Sequence, residues 1–202
     1  MVHASHVVFC AYGFWLPNDP RGSWSDFVGS WELLRFGRTT KAPPAETAPR
    51  RSAAYDFHDR EARLAAKEKL KYPPVAFTGN QARAIGNAFA KVRTRSRVTT
   101  WACSILPEHV HMVIARHEIP VEQIVNLLKG EATRELLSER LHLFAAYATA
   151  DSTPPKVWSR GLWKVFLDSP EAVAAAVQYV RDNPGKEGLP EQRWRFVTQY
   201  DA

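Results

Sequence analysis

Residues 97–116 read RVTTWACSILPEHVHMVIAR, two apolar, β-branched runs separated by Leu106, Pro107 and Glu108. Parallel strands need a crossover of a dozen or more residues, so runs this close pair antiparallel, as a hairpin. A lone hairpin is marginal in water and needs other elements against which to bury a face. The flanking segments supply them. In TGNQARAIGNAFAKVRTRS (78–96), Ile85, Phe89 and Val92 fall at i, i+4, i+7, one face of a helix. In VEQIVNLLKGEATRELLSER (121–140), Val121, Ile124, Leu128, Ala132 and Leu136 line one side. SHVVFCAY (5–12) reads as an earlier strand broken by Gly13, and KVWSRGLWKVFL (156–167) as a later strand or two short ones. A last helix, SPEAVAAAVQYVRDN (169–183), has Ser169 as N-cap, Pro170 at its first position, and Pro184 and Gly185 to stop it.

The order is strand, helix, strand, strand, helix, strand, helix. That is a split β-α-β unit twice over: an α+β, ferredoxin-like (RRM-like) sandwich with an antiparallel sheet and an additional C-terminal helix. Such a fold says little about function by itself. Residues 17–79 read as an insertion after the first strand. Within it, LPNDPRGSW (16–24) is dense in turn residues, 26–36 reads as a short helix, 38–54 as a mobile surface loop, and 56–71 as a charged helix ending before Pro73-Pro74.

With 202 residues, one domain with an insertion accounts for the whole chain, 1–202. No apolar run of membrane-spanning length occurs and the first residues lack a signal-peptide pattern, so the expected setting is cytoplasmic, with no membrane partner. Cys10 and Cys103 are far apart and lie in strands, which favours buried reduced thiols over a disulfide or zinc site. The net charge of +6 favours an anionic partner, nucleic acid first, and some of the seven tryptophans and ten phenylalanines offer faces for unpaired bases.

Strand side chains alternate, so Val110, Met112 and Ile114 point one way and His109, His111 and Val113 the other. The two imidazoles stand roughly 7 Å apart along the backbone, close enough for two ring nitrogens to converge on one metal ion. A third ligand then has to come from elsewhere. The same spacing fits a pair of surface histidines on a half-exposed sheet, and spacing alone leaves both readings open. His117 is a weaker further ligand. On the last helix, Ala172, Ala176, Tyr179 and Asn183 form one stripe and Val173, Val177 and Val180 the adjacent one. Tyr179 and Asn183 are neighbours across one turn; a core-edge tyrosine and a helix-ending asparagine is the competing reading.

Taken together, LPEHVHMVI (106–114), LLKGEATREL (127–136), VWSRGLWKVFL (157–167) and YVRDNPGKEGL (179–189) resemble the HUH single-strand-DNA tyrosine transposases, the insertion-sequence-200-like family. The Tyr-x-x-x-Asn-Pro end is similar to the REP-associated tyrosine transposase branch, and AYGFWLPNDPRGSW (11–24) to the opening of one sub-branch. The resemblance covers residues 5–16 and 78–190; the 25–75 segment departs from the minimal family pattern.

This resemblance implies a single transposase-like domain that cuts and rejoins single-stranded DNA. Tyr179 is then the nucleophile, forming a 5′-phosphotyrosine and a free 3′-OH. His109, His111 and Asn183 hold a divalent cation, Mg²⁺ or Mn²⁺, with zinc the competing occupant. The simplest family members use Gln where Asn183 stands. The partner is single-stranded DNA with a hairpin, and a homodimer is one arrangement the family uses. The expected nucleic-acid contacts are Arg21, Lys129, Arg134, Lys156, Arg160, Lys164 and Arg181, with Trp163, or Trp158, stacking a base. Two rivals predict different behaviour: a single-stranded nucleic-acid-binding module with no chemistry, and a metal-dependent phosphoesterase in which water attacks.

Overall fold

In a computed structural model that describes residues 1–14, 16, 33, 60–149 and 152–201, the strands β1 (Ala4–Cys10), β2 (Thr100–Ile105), β3 (His109–Ala115) and β4 (Trp163–Leu167) form one sheet. Its order is β2-β3-β1-β4 and every pairing is antiparallel. The helices are α1 (Arg60–Glu68), α2 (Gly79–Ser96), α3 (Val121–Ser138) and α4 (Pro170–Lys186). Strand and helix alternate around the hairpin as the sequence predicts, and the architecture is the α+β ferredoxin-like sandwich.

The chain divides into two compact units, Met1–Tyr12 with Val75–Ala202, and Gly13–Pro74. The sheet unit comes back together where the other leaves it: Val75 N–H donates to the Tyr12 carbonyl at 2.9 Å. In the second unit the described residues include α1 and a close approach at Gly13. Its φ is 82°, and a Cβ there would sit 2.8 Å from the Pro74 Cβ, so only glycine fits. The expected helix at 26–36 (Leu33 apart) and loop at 38–54 lie outside the described residues.

In the sheet unit, α2 and α3 cover one face. Ile85, Phe89, Val92, Ile124, Leu128 and Leu136 are all buried, as are Phe9, Val110, Met112 and Ile114 beneath them. Thr78 starts α2 with a full capping box, its side chain and that of Gln81 each accepting from the other's backbone N–H. The opposite sheet face is covered as well. Val173, Val177 and Val180 of α4 pack with Ala4, Ala102, Val113 and Leu167 in a second small core, edged by Trp101, Ala172, Ala176 and Tyr200. Every residue of β3 from His109 to Ile114 is therefore buried.

One expectation is corrected here. Pro184 does not stop α4; it lies inside it, and the helix runs on to Lys186. A helical proline has no N–H for the carbonyl four residues earlier, which costs a hydrogen bond. That carbonyl belongs to Val180, and the Ser104 hydroxyl of β2 donates to it instead. A side chain from the sheet replaces the missing backbone donor, so the last turn continues. The C-terminal segment covers the outer edge of β2: Gln192 bonds both the N–H and the carbonyl of Ile105 at 2.8 Å, and Thr198 N–H donates to the Thr100 carbonyl. This covers an edge that would otherwise present unpaired backbone groups.

Candidate active site

Strand register decides which side chains share the α4 face. His109 lies opposite Cys10, His111 opposite both Val8 and Ser104, and His6 opposite Val113. Direct cross-strand partners point the same way, so His6, His109, His111 and Ser104 all stand beneath α4. The rings of His109 and His111 have centroids 4.9 Å apart, and His111 stacks on His6 at 5.4 Å. His6 Nε2 and His111 Nδ1 share a hydrogen bond of 3.2 Å.

α4 brings Tyr179 onto this cluster within one chain. Its ring lies edge-on to both His6 and His111 at 5.7 Å, while 46% of the residue stays exposed. Ser169, the expected N-cap, anchors the start of this helix by accepting from the Ala172 N–H. One turn beyond Tyr179, Asn183 is buried at 6% exposure, and its Nδ2 has no hydrogen-bond partner among the described residues. A further turn on, the Glu187 carboxylate lies 4.0 Å from His109 Nε2. Asn183 is thus bracketed along the helix by two residues that reach the histidines. Lys186 places its ammonium 4.4 Å above the Tyr179 ring.

Burial governs the electrostatics. It lowers the His6 pKa to about 4. It lowers that of His111 to about 3, helped by repulsion from His109, His6 and Lys186. Both imidazoles are consequently neutral near pH 7, the form that offers a nitrogen lone pair. No three His, Cys, Asp or Glu side chains among the described residues form a metal cluster. Any cation here depends on the histidine pair with an oxygen donor such as the Asn183 amide.

The remaining predicted residues separate by location. Trp163 stands edge-on to His6 at 5.4 Å, inside the site. Lys156, Arg160 and Arg181 are exposed; Arg181 lines an open groove with Asp182, Gly185, Lys186 and Glu191. Arg134 is exposed but paired with Glu131 at 2.5 Å, on the helical layer across the sheet. Lys164 is ion-paired with Glu122 and lies over Phe166. Lys129 is not a surface group. It is buried, donates to the carbonyls of Ser159 at 2.9 Å and Gly161 at 2.6 Å, and has its pKa lowered by burial to about 8. Trp158 is packed on Phe9 and Phe77, and Arg21 lies outside the described residues. His117 accepts from the Ile119 N–H and takes no part in the cluster. Cys10 and Cys103 are buried and form no disulfide, and burial pushes the Cys103 pKa up.

Sequence reasoning missed His6, Lys186 and Glu187. His6 is legible only once β1 is paired with β3. Lys186 and Glu187 lie beyond the proline where the helix was expected to stop. The described residues contain no helix long and apolar enough to cross a membrane.

No curated protein matches the chain. Among solved structures, a REP-associated tyrosine transposase bound to a REP hairpin aligns with a TM-score of 0.47 and 13% identity, covering 97% of this chain and 76% of that one. A Deinococcus radiodurans R1 protein assigned as a transposase aligns with a TM-score of 0.41 and 12% identity, covering 90% of this chain and 91% of that one. The model of the family described as "Transposase IS200 like" matches residues 69–183, which span the hairpin, both histidines, Tyr179 and Asn183. With more than half of its length inside that match, the chain belongs to the IS200-like transposase family, enzymes that act on DNA.

Proposed function

We propose that this protein cuts and rejoins single-stranded DNA through Tyr179, on a strand carrying a hairpin of the REP type. The observation that carries the reading is the Tyr179 ring, half exposed, resting on the buried imidazoles of His111 and His6. A tyrosine serving only to pack would be covered; one serving only to bind DNA would not need a histidine pair beneath it.

The residues present fit a divalent cation. His109 and His111 adjoin, His111 is neutral, and the buried Asn183 amide has an Nδ2 with no partner. An amide's oxygen and nitrogen are assigned from the hydrogen-bond network, so the opposite orientation presents Oδ1 to the same place. His109, His111 and Asn183 would hold Mn²⁺ or Mg²⁺; mixed imidazole and oxygen donors suit Mn²⁺ somewhat better. When bound, the cation supplies positive charge that polarises and orients the scissile phosphate.

The chain's own groups do the rest. The Tyr179 Oη attacks phosphorus and gives up its proton to solvent; an O–P bond forms, the P–O3′ bond breaks, and O3′ takes a proton to leave as a hydroxyl. A free phenol has a pKa near 10 and needs help to ionise. Lys186, above the ring, supplies a cation that attracts the phosphate. The phosphotyrosine conserves the bond energy, so a 3′-OH can reverse the step and join a new end. Of the predicted nucleic-acid contacts, Lys156, Arg160 and Arg181 are exposed and available to hold the backbone.

The test is a denaturing gel of protein with labelled hairpin-bearing single-stranded DNA, with Mn²⁺ or EDTA, for wild type and Tyr179→Phe. An SDS-resistant protein–DNA band that needs metal and vanishes in the variant is expected. Cleavage with no adduct would assign a water-using phosphoesterase, and binding without cleavage a binding module.

A further inference from the structure

Within the histidine cluster, His6 is a buried titratable group to which the catalytic reading assigns no task. It is 8% exposed, on β1, and its Nε2 lies 3.2 Å from His111 Nδ1. It does not complete a three-histidine metal cluster. Its nitrogen is occupied with the back of His111, so it stands behind that ring.

Two neutral imidazoles joined this way share one proton, and its location matters. If His6 donates from Nε2, His111 accepts at Nδ1 and carries its own proton on Nε2, leaving no lone pair for anything else. If His111 donates from Nδ1, its Nε2 is bare and available. Metal-binding histidines are commonly oriented by such a bond from the other ring nitrogen.

We infer that His6 is a positioning residue: it accepts the Nδ1 proton of His111 and so holds His111 in the tautomer whose Nε2 can bind a cation. The inference rests on the proposed cation site. The surroundings keep the His6 ring in place. Trp163 stands at right angles to it at 5.4 Å, and Tyr179 closes it from α4. The same ring therefore touches both the histidine and the tyrosine of the site, through a strand the family match does not include.

The experiment uses full-length protein without added metal. Two-dimensional ¹⁵N–¹H spectra of the histidine rings show which nitrogen of His111 carries the proton. The Nδ1–H form is expected, the minor tautomer of free histidine and so a sign that the protein selects it. Mn²⁺ affinity is then measured by electron paramagnetic resonance for wild type, His6→Gln and His6→Phe. The glutamine Oε1 can accept where Nε2 accepts; phenylalanine keeps the ring without an acceptor. His6→Gln is expected to bind nearly as wild type, and His6→Phe about 10- to 100-fold more weakly. A wild-type His111 protonated on Nε2 overturns the inference without touching the proposed function, and needs no variant to fold. Equal loss in both variants also overturns it, because the ring's packing and not its acceptor would then matter. Wild-type protein that binds no Mn²⁺ removes the cation site, and the inference with it.

Discussion

Val180 is the residue at which helix, sheet and proline meet. Its carbonyl has lost its helical donor to Pro184 and has gained the Ser104 hydroxyl. Ser104 is 1% exposed, so its replacement by alanine leaves a buried acceptor with no donor. Ser104→Ala is expected to lower stability by about 1–3 kcal/mol in urea unfolding. In a Pro184→Ala background, residue 184 regains an N–H and the same substitution should cost much less; equal costs in both backgrounds would sink this account. At this scale the sequence was partly legible. The spacing of His109 to His111 and of Tyr179 to Asn183 is written in the chain. Pro184 was read as a stop because the donor that lets the helix pass it lies 76 residues away. His6 has no nearby partner in sequence to announce it.

Elements carry a different kind of information. Helix faces and strand alternation were readable because apolar residues recur with the helix and strand periods: Ile85, Phe89 and Val92, or Val110, Met112 and Ile114, are buried where the pattern puts them. The role of α3's polar positions was not readable. Lys129 looks like any surface cation on a helix, yet its ammonium ties α3 to the segment at 159–161 that leads into β4. Lys129→Met is expected to lower the melting temperature, because two carbonyls lose their donor, and to leave the salt dependence of DNA binding unchanged. Arg160→Ala should do the reverse: unchanged melting, weaker DNA binding and a shallower slope against log salt, by about one for a lost phosphate contact. Gly86 is a third case. A Cβ there would come within 2.3 Å of the Trp194 ring, which stacks on Phe196, so Gly86→Ala should destabilise a helix that alanine ordinarily favours.

For the whole molecule, burying a histidine cluster under α4 couples stability to pH. His6 and His111 have pKa values of about 4 and about 3 in the fold, against 6.5 ordinarily. Between those values the unfolded chain binds protons that the folded chain refuses. The stability is therefore fully present above about pH 6.5 and is lost as pH falls toward 4. Urea midpoints at pH 7, 6 and 5 should decline in that order, and His6→Gln should flatten the decline; a constant midpoint would contradict it. What the sequence determined by itself is what local spacing and periodicity can encode: the helices, the hairpin, the β-α-β-β-α-β order and two pairs of chemically marked residues. Antiparallel pairing of β1 with β3 set His6 behind His111. The packing of α4 across the sheet turned a face that alternation left open into a second core and laid Tyr179 on the imidazoles. Those outcomes depend on which distant surfaces meet and on burial, which changes the chemistry of an imidazole without changing the residue, so only the tertiary structure decided them.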